Sequence, residues 1–125
     1  MNEEIKIPEI EILNYLNEVT GSKFREIPRN LSKIKALLKQ NFTQEQIIEV
    51  IQLKVIQWKN NPRMVGYLRP ETLFRESNFE NYLNEVEKVK QNPKLYASHF
   101  AELNNIKFGN DTSGARAKFS SMFRK

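Results

Sequence analysis

One stretch of the chain, residues 42–83, carries the apolar pattern that most restricts the fold. Thr43 is a good helix N-cap, and Gln46 three residues later completes a capping box. Apolar residues then recur at helical spacing until Asn-Asn-Pro at 60–62, where proline cannot continue the helical hydrogen bonds. The sequence therefore predicts a helix over about residues 44–59.

The apolar residues of this helix cover more than one stripe, so we expect neighbours to bury it on two sides. They are Ile47, Ile48, Ile51, Val55 and Trp58. After a turn over residues 64–69, Pro70 is placed to open a short helical piece that carries Leu73 and Phe74. The stretch as a whole predicts a central helix followed by a compact turn.

Two helices are predicted before the central one. The first runs from Pro8 to about Val19 and ends at Gly21, which supplies the left-handed conformation of a helix C-terminus. Asn30 or Ser32 is the expected cap of the second. A short connection leads from the second helix to the third, which predicts antiparallel neighbours and a compact bundle of the first three helices.

Two more helices are predicted after residue 75. One begins near Phe79 and extends to about Lys90, and a second, amphipathic helix follows Pro93. The fold class is therefore all-α, a compact bundle of about four to five helices with a basic C-terminal tail. We expect a helical domain over residues 1–92 and an additional helix and tail over 93–125.

Composition indicates an ordinary globular domain without a metal or cofactor. Hydrophobic residues make up 39% of the 125 and charged residues 28%. Cysteine is absent and His99 is the single histidine, so we expect neither a disulfide nor a metal site. No apolar run has the length of a membrane span, and the N-terminus lacks a signal-peptide pattern, which predicts a cytoplasmic protein.

The net charge of +5 is concentrated in two basic segments. Residues 107–125 carry a net +4, and residues 23–39 carry +5 through Lys23, Arg25, Arg29, Lys33, Lys35 and Lys39 against Glu26. Clustered cations on an otherwise acidic chain are typical of a phosphate-binding surface, because affinity there comes from counterion release. A merely solvated basic face is the other interpretation.

The last ten residues interleave basic and apolar side chains. Arg116 and Lys118 precede Phe119, Met122 and Phe123. Aromatic rings stack on unpaired bases while cations follow a phosphate backbone, so the tail is a candidate single-strand contact. It is equally a candidate for docking in a partner's groove through Phe119, Met122 and Phe123, and a frayed basic terminus is the third interpretation.

A long string within residues 42–84 resembles a known family. The pattern FTxExxxxVIxxKxxxWxxxPxMxxYLRPxTLFxxxxFExYLN resembles the C-terminal domain of phage replisome organisers, replication initiation proteins from phages of Gram-positive bacteria, related in role to DnaD-like proteins. Residues 12–25 add a YLNxxTGxxF pattern, so the resemblance covers about residues 10–85. The matching positions of the longer string are Phe42, Thr43, Val50, Ile51, Lys54, Trp58, Pro62, Met64, Tyr67, Leu68, Arg69, Pro70, Thr72, Leu73, Phe74, Phe79, Glu80, Tyr82, Leu83 and Asn84.

The resemblance implies a role in phage DNA replication inside a bacterial host. Family members normally carry an origin-binding domain before this module, whereas here the pattern begins about ten residues after Met1, so we expect DNA binding without strong sequence preference. The implied partners are DNA and a host replication protein such as the helicase or its loader. An inhibitor that blocks a host replication protein or a defence nuclease, and a simple oligomerisation unit, are the alternatives.

Arg25, Arg29, Lys33, Lys35 and Lys39 are the leading candidates for phosphate contact, with Lys54 and Arg69 as second choices. Arg69 has another possible role, holding a carboxylate within the fold, because arginine suits bidentate pairing. The chain lacks a phosphate loop, a nucleophile elbow, an HExxH motif and a cysteine nucleophile, and we therefore expect a protein that is not an enzyme.

Overall fold

The computed structural model describes residues 7–106, which form six α-helices and contain no strand. The helices are α1 (Pro8–Thr20), α2 (Pro28–Lys39), α3 (Gln44–Trp58), α4 (Pro70–Leu73), α5 (Glu76–Gln91) and α6 (Ala97–Ile106), with a 3₁₀ turn over Val65–Tyr67 between α3 and α4. The all-α prediction is confirmed, with one short helix more than the four to five expected.

Helix α3 lies at the centre of the fold. The predicted capping box is present, because the Thr43 hydroxyl accepts from the Gln46 amide at 3.0 Å and the Gln46 side chain accepts from the Thr43 amide at 2.9 Å. α3 packs against α1, α5 and α6, which confirms the predicted burial on more than one side. Its buried residues are Ile47, Val50, Ile51, Leu53, Lys54 and Val55.

Helix α2 packs mainly against α1 and α4, so the prediction of an antiparallel α2–α3 pair is wrong. The reason lies in the turn that joins these two helices. Asn41 adopts φ +75°, and the amides of Asn41 and Phe42 donate to the carbonyls of Leu38 and Leu37. This Schellman arrangement ends α2 and redirects the chain before α3 begins.

The predicted cap of α2 is also wrong. α2 begins at Pro28, and its N-cap residue Ile27 makes no side-chain capping bond. Proline suits the first helical position because its fixed φ matches the helix and its missing amide would have no partner there. Asn30 instead donates from Nδ2 to the carbonyl of Arg25 at 2.7 Å, which holds the loop before the helix.

The YLNxxTGxxF segment has a structural role at the end of α1. Asn17 clamps the following loop, donating to the Phe24 carbonyl at 2.9 Å and accepting from the Phe24 amide at 2.8 Å. Thr20 donates to the Leu16 carbonyl at 2.6 Å. Gly21 ends the helix at φ +71°, as predicted. These positions therefore fix how α1 leads towards α2.

Helices α5 and α6 complete the core. α5 begins at Glu76, three residues before the predicted start, and Phe79 packs edge-to-face on Phe42 with ring centroids 4.9 Å apart. The predicted amphipathic helix is present as α6, which packs on α3 and buries Ile106. The proposed domain boundary at residue 92 stays a prediction.

No helix between residues 7 and 106 is both long and apolar enough to cross a membrane.

Thr43→Ala removes the capping bond to the Gln46 amide, and we expect the free energy of unfolding to fall by about 1 kcal/mol. Urea denaturation followed by circular dichroism measures this. Thr43→Ser retains the hydroxyl and is the matched control. Equal losses in the two variants would contradict the capping role.

His99 predicts a pH dependence of stability. Its Nδ1 is buried and has no hydrogen-bond partner among residues 7–106, and burial lowers the pKa of the ring from the ordinary value of 6.5. The unfolded chain then binds the proton more tightly than the folded protein. The free energy of unfolding should therefore be at its full value above about pH 6.5 and fall as the pH drops through the folded pKa.

Denaturation between about pH 5.5 and 7.5 tests this, because most carboxylates stay ionised over that range. His99→Gln is the comparison, since the chain has one histidine. Glu49 and Lys90 line a groove together with His99, and their side chains form an ion pair at 3.1 Å. This pair is present in the wild type and in the variant alike, so it does not affect the comparison. An identical pH slope in the wild type and the variant would refute the assignment to His99.

Candidate nucleic-acid interface

A groove of about 550 Å³ lies where the first turns of α2 and α4 meet. Both helices begin with proline, at Pro28 and Pro70, and they pack against each other. The side chains of these first turns therefore border one common space. The groove is lined by Phe24, Ile27, Arg29, Asn30, Lys33, Arg69, Pro70 and Glu71.

Three of the predicted phosphate-contact residues meet at this groove: Arg29, Lys33 and Arg69. Arg29 and Lys33 are four residues apart on α2 and share a helix face. Arg69 directly precedes α4, and its Nε donates to the Thr72 hydroxyl at 3.1 Å. The alternative role for Arg69, holding a carboxylate, is not observed among residues 7–106, where its partner is a hydroxyl.

A second groove of about 390 Å³ continues along α2 and shares Lys33 with the first. Arg75 lines it, together with Ser32, Ala36, Phe74, Glu76 and Ser77. Arg75 was not predicted from the sequence. The basic clusters were recognised by net charge along the chain, and Glu71 and Glu76 bring the net charge around Arg75 to zero. Only the packing of α4 against α2 brings Arg75 near Lys33.

The cations of these two grooves form no ion pair within residues 7–106, in contrast to Lys35, Lys54, Lys59 and Lys90. Within the described part of the chain, Arg29, Lys33, Arg69 and Arg75 have no carboxylate within ion-pair distance, 4.0 Å. Glu71 and Glu76 lie along the lining, and the Glu76 carboxylate accepts a hydrogen bond from the Gln40 amide. Basic residues therefore outnumber acidic ones in both grooves, with Glu71 in the lining of the first and Glu76 in that of the second.

The remaining basic residues of segment 23–39 do not line these grooves. Lys35 Nζ is 3.8 Å from Glu9 Oε2, on the side of α2 that faces α1. Lys23, Arg25 and Lys39 are exposed. The predicted single cluster is thus divided, with Arg29 and Lys33 towards α4 and Lys35 towards α1.

Lys54 lies inside the fold, which argues against its assignment as a phosphate contact. It is 4% exposed, and its Nζ pairs with Glu85 Oε1 at 2.5 Å. The ammonium also lies 4.2 Å from the ring centroid of Tyr82 and 5.0 Å from that of Trp58. A phosphate would have to displace Glu85 and open the α3–α5 contact, so we withdraw Lys54.

The predicted tail contacts lie outside the described residues. They are Arg116, Lys118, Phe119, Met122 and Phe123. Between residues 7 and 106, no group of three or more His, Asp or Glu side chains is placed to hold a metal ion.

Glu85→Gln leaves the buried ammonium of Lys54 without its carboxylate, and we expect the free energy of unfolding to fall by roughly 2 kcal/mol. Lys54→Met should cost less. The methionine keeps apolar contact with Trp58 and Tyr82, and the Glu85 side chain, 46% exposed, is free to take up water. Guanidinium denaturation of both variants gives the comparison, and the reverse order of stability would contradict a buried, partner-dependent ammonium.

Comparison with known proteins identifies the family of the domain. Residues 12–84, more than half of the chain, match the family described as "Conserved phage C-terminus". No significant match was found among curated proteins or among solved structures. The matched range runs from α1 into α5 and includes Arg29, Lys33, Arg69 and Arg75. The chain is a phage protein domain and belongs to the conserved phage C-terminus family.

Proposed function

We propose that this domain is a non-enzymatic module of phage DNA replication that binds the DNA backbone along the α2–α4 groove and also binds a host replication protein such as the helicase or its loader. The observation that carries the DNA part is the convergence of Arg29, Lys33 and Arg69 on one groove without an ion-paired carboxylate in the described residues. Arg75 extends this cationic surface along α2.

Unpaired cations suit phosphate because their counterions are released when DNA binds. Lys35, Lys54, Lys59 and Lys90 already have carboxylate partners and offer less. Arg29 also stands in the first turn of α2, which has no acidic residue. The N-terminus of a helix is the positive end of its dipole, so it repels the Arg29 guanidinium and attracts an anion. A phosphate bound there would be stabilised both by the helix N-terminus and by the guanidinium.

The replication role rests on the phage family and on the resemblance of the YLRPxTLF string to replisome organisers. In that string Leu68, Pro70, Leu73 and Phe74 are buried, so much of it shapes α4, which carries the groove. Backbone contacts alone carry no sequence information, which fits a module without strong sequence preference. The host replication partner is the part of the proposal taken from the resemblance.

The alternative, an inhibitor of a host protein, depends on residues 96–125. The structure shows how to test it. α6 packs on α3 and Ile106 belongs to the core, so truncation at residue 92 would disturb the fold itself. Phe119→Ala/Phe123→Ala in the full chain removes the proposed tail anchors and changes no residue of the described helices. Loss of a nuclease-resistant host protein from pull-downs of this variant, with DNA affinity unchanged, shows that the tail binds that protein, and its identity separates recruitment to replication from inhibition.

Arg29→Glu/Lys33→Glu should weaken DNA binding strongly and flatten its salt dependence. Each lost phosphate contact lowers the slope of log K against log salt by about 0.9, so we expect a reduction of roughly 2. Fluorescence anisotropy with labelled DNA at several salt concentrations measures both quantities. Glutamate in the first turn of α2 favours the helix dipole, so the variant should stay folded.

The matched control is Lys88→Glu/Lys94→Glu, which makes the same change in net charge at two exposed positions away from the groove. Equal loss of affinity in the two double variants would show a general effect of charge. That result, or unchanged binding by Arg29→Glu/Lys33→Glu, would remove the groove from the proposal.

A further inference from the structure

An exposed aromatic ring adjoins the cationic groove. Tyr67, in the 3₁₀ turn before α4, is 42% exposed. The guanidinium carbon of Arg69 lies 5.1 Å from the centroid of its ring, and Arg69 itself lines the groove. The Tyr67 ring and the groove therefore meet at Arg69.

The backbone holds these two side chains in place. The Arg69 amide donates to the Tyr67 carbonyl at 2.8 Å, and the Arg69 side chain is tied to Thr72 at 3.1 Å. On either side of Arg69, Leu68 and Pro70 are buried and anchor the segment in the core. Tyr67 is therefore an exposed ring on a segment fixed by its neighbours.

Tyr67 is not part of the hydrophobic core. Among the described residues the Tyr67 hydroxyl makes no hydrogen bond, and the Arg69 guanidinium lies over the Tyr67 ring. Leu68, Leu73 and Phe74 by contrast are at most 5% exposed. An aromatic ring beside cations is the combination that binds single-stranded nucleic acid, because bases stack on the ring while cations follow the phosphates.

Building on the DNA-binding function proposed above, we propose that the α2–α4 groove takes single-stranded rather than duplex nucleic acid, with an unpaired base stacked on Tyr67. Arg69 then contacts the adjacent phosphate, and Lys33 and Arg29 continue along the strand. A duplex offers the same phosphates, but its base faces are covered by neighbouring base pairs. Tyr67 therefore discriminates between the two forms.

The test compares three ligands by fluorescence anisotropy at one salt concentration: a ~12-nucleotide oligothymidylate, an abasic strand of the same length, and a duplex whose two strands have that length. The proteins are the full-length wild type, Tyr67→Ala and Tyr67→Phe. Tyr67 lies outside the hydrophobic core, so all three should fold, and circular dichroism with thermal melting checks this.

The wild type should bind oligothymidylate about five-fold or more tightly than the abasic strand, the range expected for stacking of one base. Tyr67→Ala should lose this preference and bind both strands with the wild-type affinity for the abasic strand. Tyr67→Phe retains the ring and should behave as the wild type.

Equal wild-type affinity for all three ligands, or an unchanged preference in Tyr67→Ala, overturns the single-strand proposal while leaving backbone binding by the groove intact. Loss of the preference in Tyr67→Phe as well overturns stacking by the ring. Absence of binding to every ligand refutes the proposed DNA-binding function itself, so the two failures are distinguishable.

Discussion

The burial of α3 on several sides is the constraint from which the arrangement of the other helices follows. Its apolar residues need neighbours in more than one direction, and α1, α5 and α6 supply them. α2 and α4 then pack at the edge of the fold, α2 against α1 and α4 against α2 and α5. Their first turns, each opened by proline, face one groove at that edge. The position of the α2–α4 groove therefore follows from the way the other helices bury α3.

Charged residues divide between two tasks in the described helices. Several ion pairs join α3 to its neighbours: Lys54 to Glu85 and Glu49 to Lys90 connect it to α5, and Lys59 to Glu102 connects it to α6. The more exposed pairs each contribute little stability. In the α2–α4 groove, by contrast, Arg29, Lys33 and Arg69 have no carboxylate partner among residues 7–106. These are the cations on which the proposed DNA-binding surface rests.

The sequence was informative where local chemistry determines structure. The capping box at Thr43 and the left-handed Gly21 depend on neighbouring residues alone, and both were predictable. The partner of α2 was not, because a single left-handed residue, Asn41, redirects the chain and its effect is visible only in three dimensions. At the site, Arg29 and Lys33 followed from charge along the chain, whereas Arg75 needed the packing of α4. Lys54 was misassigned because its partners lie far along the sequence.

The burial of Lys54 also bears on how α5 is aligned with α3. Apolar contacts between two helices tolerate a shift of one turn, since similar side chains recur every three to four residues. The ammonium does not, because Glu85 and Tyr82, its partners on α5, stand beside it only in the observed alignment, whereas Trp58 lies on α3 with it. A shifted pairing leaves the buried ammonium without a carboxylate, with the Gln57 amide oxygen on α3 as its remaining partner, which is unfavourable. Lys54 thereby fixes the alignment of α5 along α3 and excludes shifted arrangements that the apolar contacts alone would allow.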